Sequence, residues 1–321
     1  MKSTEELHQL YESDLKPALE AIEGRRKSIL IKYTISIIGM LASFMAAFFL
    51  AEKYIFVFYL AIAAIIGLMA FLFLVVKKEQ KEYRAIYKRD VVKAIVKLIN
   101  PDWQYDSEGR ISSNDYRNSQ LFAKSWDKYE GDDLVSGVIE KTDFQFSELH
   151  TQYKTIKTDS EGKREEDWHT IFKGLFAHAD FNKEIKGRTF ILPESASKSF
   201  SKYGDDISSA GETKLVKLEN PEFEKAFKVY STDQIESRYI LTPTMMESIV
   251  NIYKKYKRRV YFSFIGSRVY VAMSFNKDLF EPRIMKSGVR FEDMEQMNDQ
   301  FSLIQSIISE MNLNTRIWTK N

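Results

Sequence analysis

The chain has 321 residues, 44% hydrophobic and 29% charged, with a formal net charge of +2 and no cysteine. That length allows one large domain or two modest ones, and the lack of cysteine excludes disulfide staples, thiolate nucleophiles and thiolate metal ligands. Residues 1–100 carry a net +5 and the rest about −3, so the larger portion lacks the basic surface of a phosphate-backbone binder and no nucleic-acid partner is expected.

Taken in chain order, residues 4–28 predict an amphipathic helix: Leu7, Leu10, Tyr11, Leu15, Leu19 and Ile22 recur at spacings of three and four, with Pro17 expected to kink or break it. Two apolar runs follow, 29–51 and 54–76. As helices each spans roughly 35 Å, enough to cross a bilayer core. Lys32 sits near the start of the first and can snorkel. Only Glu52 and Lys53 interrupt the pair, so a tight helical hairpin is expected, with both chain ends on one side. Arg25, Arg26 and Lys27 precede it, and Lys77, Lys78, Lys81 and Arg84 follow it. These basic flanks suit anionic lipid headgroups and place both termini in the cytoplasm by the positive-inside rule. Residues 78–99 predict a second amphipathic helix, through Tyr83, Tyr87, Val91, Ala94, Ile95 and Leu98. It is expected to pair with 4–28 as a stalk, so that 1–100 forms a membrane anchor, with self-association a further use of the stripes.

Residues 101–321 read as a cytoplasmic α+β domain. Pro101 and Gly109 break the helical pattern, and a short helix is expected over 114–125. Strands are expected over 134–141, 142–157 and 168–182, the last two joined through a charged tip at 158–167, and another in "GRTFILPE". The serine-rich stretch 194–213 reads as a long loop that could split the domain into two subdomains. Beyond it, "FEKAFKVYS" (223–231) reads as a strand, and Thr242 with Pro243 opens a helix. "RVYFSFIGSRVYVAMSF" predicts a hairpin turning at Gly266-Ser267, with Val260, Phe262, Phe264, Val269, Val271 and Met273 on one face. A final helix is expected over about 290–312.

Candidate chemistry is sparse. The four histidines, His8, His150, His169 and His178, form no H-E-x-x-H motif. His169 and His178 are nine apart, which on an unbroken strand sends them to opposite faces unless Gly174 makes a bulge. His178 and Asp180 share a face and are candidates for general-base or metal work, against the plainer reading of a hydrogen-bonded buried histidine. "GDD" at 131–133 offers Asp132 and Asp133 as candidate cation ligands, against ordinary turn chemistry. A second "GDD" at 204–206 falls in the long loop. No phosphate-binding loop or nucleophile elbow is present, and no cofactor is implied. Asp233, Glu236 and Arg238 are expected to form an ion-pair network at a turn. The pattern favours a membrane-tethered binding or scaffold protein. The alternative is a membrane-bound hydrolase or metal-dependent enzyme using His178, Asp180 and the 131–133 carboxylates.

"YEGDDLVSGVIEKTDFQFSELHTQY", "IFKGLFAHADFNKEIKGRTFILPE" and "FEKAFKVYSTDQIESRYILTPTMMESI", together with the paired apolar runs, resemble a bacterial family of two-span membrane proteins carrying domain of unknown function 3137. The resemblance covers most of 80–315. It implies an inner-membrane location with a cytoplasmic domain, and hints at LemA-type membrane proteins as partners. It supplies no reaction, cofactor or catalytic residue.

Overall fold

The computed structural model describes residues 4–50, 52–139, 142–158, 162, 164–196, 213–295, 297–299, 301–302 and 305–306. Most of the expected long loop, the second "GDD" and the end of the expected final helix therefore lie outside the described residues. The chain divides into two compact units: Met1–Ile99 with Phe280–Asn298, and Asn100–Leu279 with Asp299–Asn321. The fold class is mixed, with long apolar helices at the N-terminus and an antiparallel sheet after them.

In the first unit, α1 (Glu5–Leu50) and α2 (Ile55–Ile99) are each long and apolar enough to cross a membrane. Only 6% and 11% of their most apolar windows is buried, which is not the environment of a helix in a globular core. Pro17 does not break α1. A π-helical turn at Tyr11–Leu15 precedes it, and the widened turn accommodates the ring and the missing donor. Similar turns at Leu72–Val76 and Lys88–Val92 interrupt α2. Leu7, Tyr11, Leu15, Leu19 and Ile22 are buried, as are Tyr83, Tyr87, Val91 and Ile95.

The helices that carry the two stripes pack together, and a third segment joins them. The segment 280–298 belongs to the same unit, and Phe291 stacks against His8 and Tyr11 with ring centroids 5.0 and 5.6 Å apart. Arg26 is buried, held bidentately by Glu23 at 2.8 and 2.9 Å and donating to the Ile284 carbonyl at 2.6 Å. Buried Lys88 and exposed Arg84 both meet Glu281 at 3.1 Å. Burying such charges without partners would cost several kcal/mol each, roughly, so the segment is tied to the helices by its acceptors as well as its rings.

The second unit is built on one sheet. Its strands are β1 (Gln104–Asp106), β2 (Lys128–Ile139), β3 (Thr142–Thr158), β4 (Arg164–Pro193), β5 (Lys214–Val216), β6 (Phe227–Ser231) and β7 (Val260–Ser274), in the order β1-β2-β3-β4-β6-β5 with β7 also on β4. Among the described residues the strand pairings are antiparallel. The expected strands 168–182 and "GRTFILPE" are one strand, β4, and the sheet runs unbroken across both sides of the 197–212 stretch.

The expected hairpin at Gly266-Ser267 does not form. β7 runs on past Gly266, whose φ of +61° and pairing with Ile185 make a bulge. Both halves of β7 find their hydrogen bonds on β4, so neither needs the other. The division of faces nevertheless holds: Tyr261, Tyr270 and Ala272 join the cluster of Phe172, Phe176 and Phe190, and the odd-step residues Phe262, Phe264, Val271 and Met273 take the opposite face.

Of four described helices in this unit, the first three differ from expectation and the last, capped by Thr242, is as expected. α3 is shorter, Ser113–Asn118. The expected strand 223–231 begins as α4 (Pro221–Ala226), because Asn220 caps the amides of Glu222 and Phe223 with Pro221 in the first turn. α5 (Gln234–Ile240) starts at Asp233 and α6 (Pro243–Tyr256) at Thr242. Tyr116 of α3 packs on one sheet face beside Phe172 and Phe176. Tyr253 of α6 and Phe223 of α4 pack on the other beside Phe227.

Gly174 and Gly266 give a paired prediction. A Cβ at Gly174 (φ +151°) would lie 2.0 Å from the Met273 carbonyl oxygen, whereas at Gly266 nothing lies within 4 Å. Gly174→Ala should lower the apparent unfolding midpoint of the full chain in detergent by the larger amount, about 3 kcal/mol or more. Gly266→Ala should cost only about 1 kcal/mol for its left-handed backbone. Equal effects would contradict the close approach of β4 and β7.

Candidate functional site

The residues singled out in the sequence fall on opposite faces of the sheet. Directly paired residues on adjacent strands point the same way, and the face alternates at each step. Asp132 pairs with Glu148, which pairs with Leu175. Three steps along β4, His178 pairs with Gln145 and therefore faces the other way. The expected combination of His178, Asp180 and the 131–133 carboxylates is not assembled.

On the Glu148 face lies a buried acidic cluster. One ligand atom from each of Asp132, Asp133 and Glu148 falls within 4.8 Å of the others. A bulge between Asp132 and Val135 turns Asp133 inward, at a φ of +59° that aspartate tolerates better than most residues. The Tyr105 hydroxyl donates to Asp133 Oδ1, and the Leu279 amide donates to Glu148 Oε1 at 2.7 Å. Burial, with Asp133 next in effect, pushes the Glu148 carboxyl up to about 8, so it is protonated at neutral pH and can donate. Burial and the Asp133 charge also push the Tyr105 hydroxyl well up. Three carboxyl groups can supply oxygen ligands to a hard cation, but Asp133 and Glu148 already accept protein hydrogen bonds.

On the opposite face, His178 lines a cleft of about 990 Å³ with Asp180, Gln104, Ser136 and Gln145. The register is direct: Gln104 with Ser136, Ser136 with Gln145, Gln145 with His178, and His178 with Tyr270. A polar row thus crosses the strands. His178 is buried, and burial holds its imidazole down at about 4, which Asp115 opposes and Arg268 reinforces. Its Nε2 lies 4.0 Å from Asp115 Oδ2, while Asp115 Oδ1 takes Arg268 at 2.6 Å. Asp180 is exposed, opposite Arg268.

The other histidines lie apart from this cleft. The bulge falls at Ile171, between the pairs Thr151–Phe172 and Gln152–Thr170, rather than at Gly174. That puts His169 on the His178 face, but roughly 25 Å away along the strand. His169 bonds the Thr155 hydroxyl at 2.8 Å and stacks on Tyr153. His150 meets Thr170 Oγ1 at 3.1 Å.

Two further expectations are revised. Asp233 and Glu236 hold backbone amides rather than an ion-pair network: Asp233 caps Ile235 and Glu236. Glu236 accepts from Lys186 and Gly187 at 3.0 and 2.7 Å, and Arg238 donates to the Gln234 carbonyl. Among the basic flanks, Arg26 and Arg84 are engaged within the first unit as described, whereas Arg25, Lys27, Lys77, Lys78 and Lys81 are exposed.

Glu148, Tyr105 and the polar row escaped the sequence reading. The alternation Phe144, Phe146, Glu148 in "DFQFSE" was a usable signal, since it puts a carboxylate in line with two core phenylalanines.

A family model described as "Protein of unknown function (DUF3137)" matches residues 170–313. Over those residues the chain is similar to that family, in agreement with the resemblance read from the sequence. No curated protein matches the chain. A crystal structure of the mycobacterial trehalose monomycolate transport factor A, TtfA, is similar at 10% identity and a TM-score of 0.31, over 67% of this chain and 93% of that one.

Glu148 sets a pH dependence. Its folded value, about 8, stands above the unfolded 4.5, so the folded state binds the extra proton between them. Stability should fall as pH rises through that window, by at most about 1.4 kcal/mol per unit. Glu148→Gln keeps the acceptor for Leu279 and should flatten this slope in denaturant titrations. An unchanged slope would mean that Glu148 is ionised in the fold.

Proposed function

We propose that this protein is a membrane-tethered binding module, anchored by α1 and α2 in a bacterial inner membrane with the sheet unit and both termini in the cytoplasm. The observation that carries the reading is the apolar surface of the two helices. Ile35, Leu41, Phe48, Ile55, Leu60 and Phe73 are all more than half exposed, and exposing so much apolar area to water is unfavourable by roughly 25 cal/mol per Å². A bilayer removes that penalty. The exposed cations Arg25, Lys27, Lys77, Lys78 and Lys81 flank the apolar segments, and Lys32 meets Glu79 at 2.5 Å nearby. This supports anionic headgroup contact on the side that carries the rest of the chain.

The sheet unit supports binding over catalysis. Its candidate residues for acid-base chemistry are separated by the sheet, and the polar row across β1–β4 offers hydrogen-bonding groups to a ligand. The partner in this reading is a protein, for which a LemA-type membrane protein or a second copy of the chain are the candidates that the resemblance and the helical stripes suggest.

Topology is the first test. Fluorescent reporters that mature only in the cytoplasm, fused at either terminus, should both light up. Protease added to intact spheroplasts should leave the sheet unit whole. Cleavage of that unit from outside would reverse the orientation and remove the cytoplasmic reading.

A further inference from the structure

The polar cleft has a built floor. Gln104, Ser136, Gln145 and His178 stand side by side on β1, β2, β3 and β4. With neighbouring strands about 4.8 Å apart, the row is roughly 14 Å long. At about 3.3 Å per residue, that is the length of some four residues of extended polypeptide crossing the strands. Its open front suits a chain better than an enclosed small molecule.

Charge selects what such a chain would carry. Among the described lining residues, Asp102, Asp143 and Asp180 are exposed carboxylates, and Arg268 is the one cation. Arg268 spends a guanidinium nitrogen on Asp115 at 2.6 Å. His178 contributes no compensating charge, because burial keeps it neutral at physiological pH. Val138 pairs with Asp143, two residues beyond the Ser136–Gln145 pair, and Asp180 lies two residues beyond His178. The carboxylates of Asp143 and Asp180 therefore stand on neighbouring strands, on the same face and at the rim of the row. Like charges placed side by side are unfavourable until a cation lies between them.

We infer that this cleft docks a basic, extended segment of a partner polypeptide, with Asp102, Asp143 and Asp180 receiving its lysine or arginine side chains and the Gln104–His178 row bonding its polar groups. The inference rests on the reading of the sheet unit as a binding module, and gives that module's partner a chemistry. Acidic rim charges raise the on-rate and select the sign of the partner, while the uncharged floor fixes its register.

The test uses the full chain in nanodiscs of zwitterionic phosphatidylcholine, so that lipid charge does not attract the probe. A fluorescein-labelled decapeptide of alternating lysine and serine should bind, with affinity falling as salt rises, and its glutamate counterpart should not. The double variant Asp143→Asn, Asp180→Asn changes exposed side chains and should weaken the lysine peptide about tenfold. Glu165→Gln with Glu247→Gln, an equal charge change at other exposed positions, should alter binding less than twofold. The proposal is overturned if the glutamate peptide binds as well, if the Asp143, Asp180 variant binds as the parent does, or if free spermidine matches the peptide, which would mark a site for small amines. A photo-cross-linking residue at exposed Gln104, in cells, separates this failure from that of the broader reading. Cross-linking to a protein without lysine-peptide binding would remove the basic partner and leave the binding module. Neither cross-linking nor peptide binding would remove both.

Discussion

β4 is the constraint on which the sheet unit depends. Thirty residues long, it is the shared hydrogen-bonding partner of β3, β6 and β7, with β7 along one edge and β3 then β6 along the other. A strand of that length cannot stay flat, because right-handed twist accumulates along it. Its register shifts absorb the twist: one at Ile171, others between Asp180 and Arg188. At the second, the Glu236 carboxylate takes the amides of Lys186 and Gly187, donors that the interrupted ladder leaves unpaired. Gly174 lets β7 approach where a side chain would strike the Met273 carbonyl.

Those shifts also decide which side chains meet. Phe172, Phe176 and His178 lie beyond the shift at Ile171 and share one face by alternation, with Tyr116 packed over the two phenylalanines, while the shift brings His169 to that same face. Because the Asp132–Glu148–Leu175 line is an odd number of steps from His178, the acidic cluster and the polar cleft are separated by the sheet itself. One face holds carboxyl groups locked into hydrogen bonds among core rings. The other presents an open, charged rim. In the second arrangement polar groups face an open cleft that another molecule can enter.

Much of this was legible in the residues. The two apolar runs, the period-two pattern of 142–157 and 168–182, and the Thr242-Pro243 cap all act locally, and the structure has helices, strands and a cap at those places. The turn at Gly266 was misread because glycine at positive φ serves a bulge as well as a hairpin, and only the presence of β4 as a partner for both halves distinguishes them. The helix at 221–226 was missed because its Asn220 cap precedes the apolar period that suggested a strand. The cleft was invisible for a different reason: Gln104, Ser136, Gln145 and His178 are scattered in sequence and become neighbours only through four strand registers. Arg26 looked like a headgroup contact, but Glu23 and the Ile284 carbonyl of a distant segment claim it.

The central claim, that the exposed apolar faces of α1 and α2 are covered by lipid and thereby tether a binding unit, is tested most directly by extraction. Membranes from cells producing the full chain are washed with strongly alkaline carbonate and, separately, with high salt. The account predicts that the protein stays in the membrane pellet under both, because the burial of two apolar spans resists the removal of peripheral charge contacts. Release of the intact protein into the carbonate supernatant would mean that the helices lie on the surface or pack against other protein, and would contradict the tether.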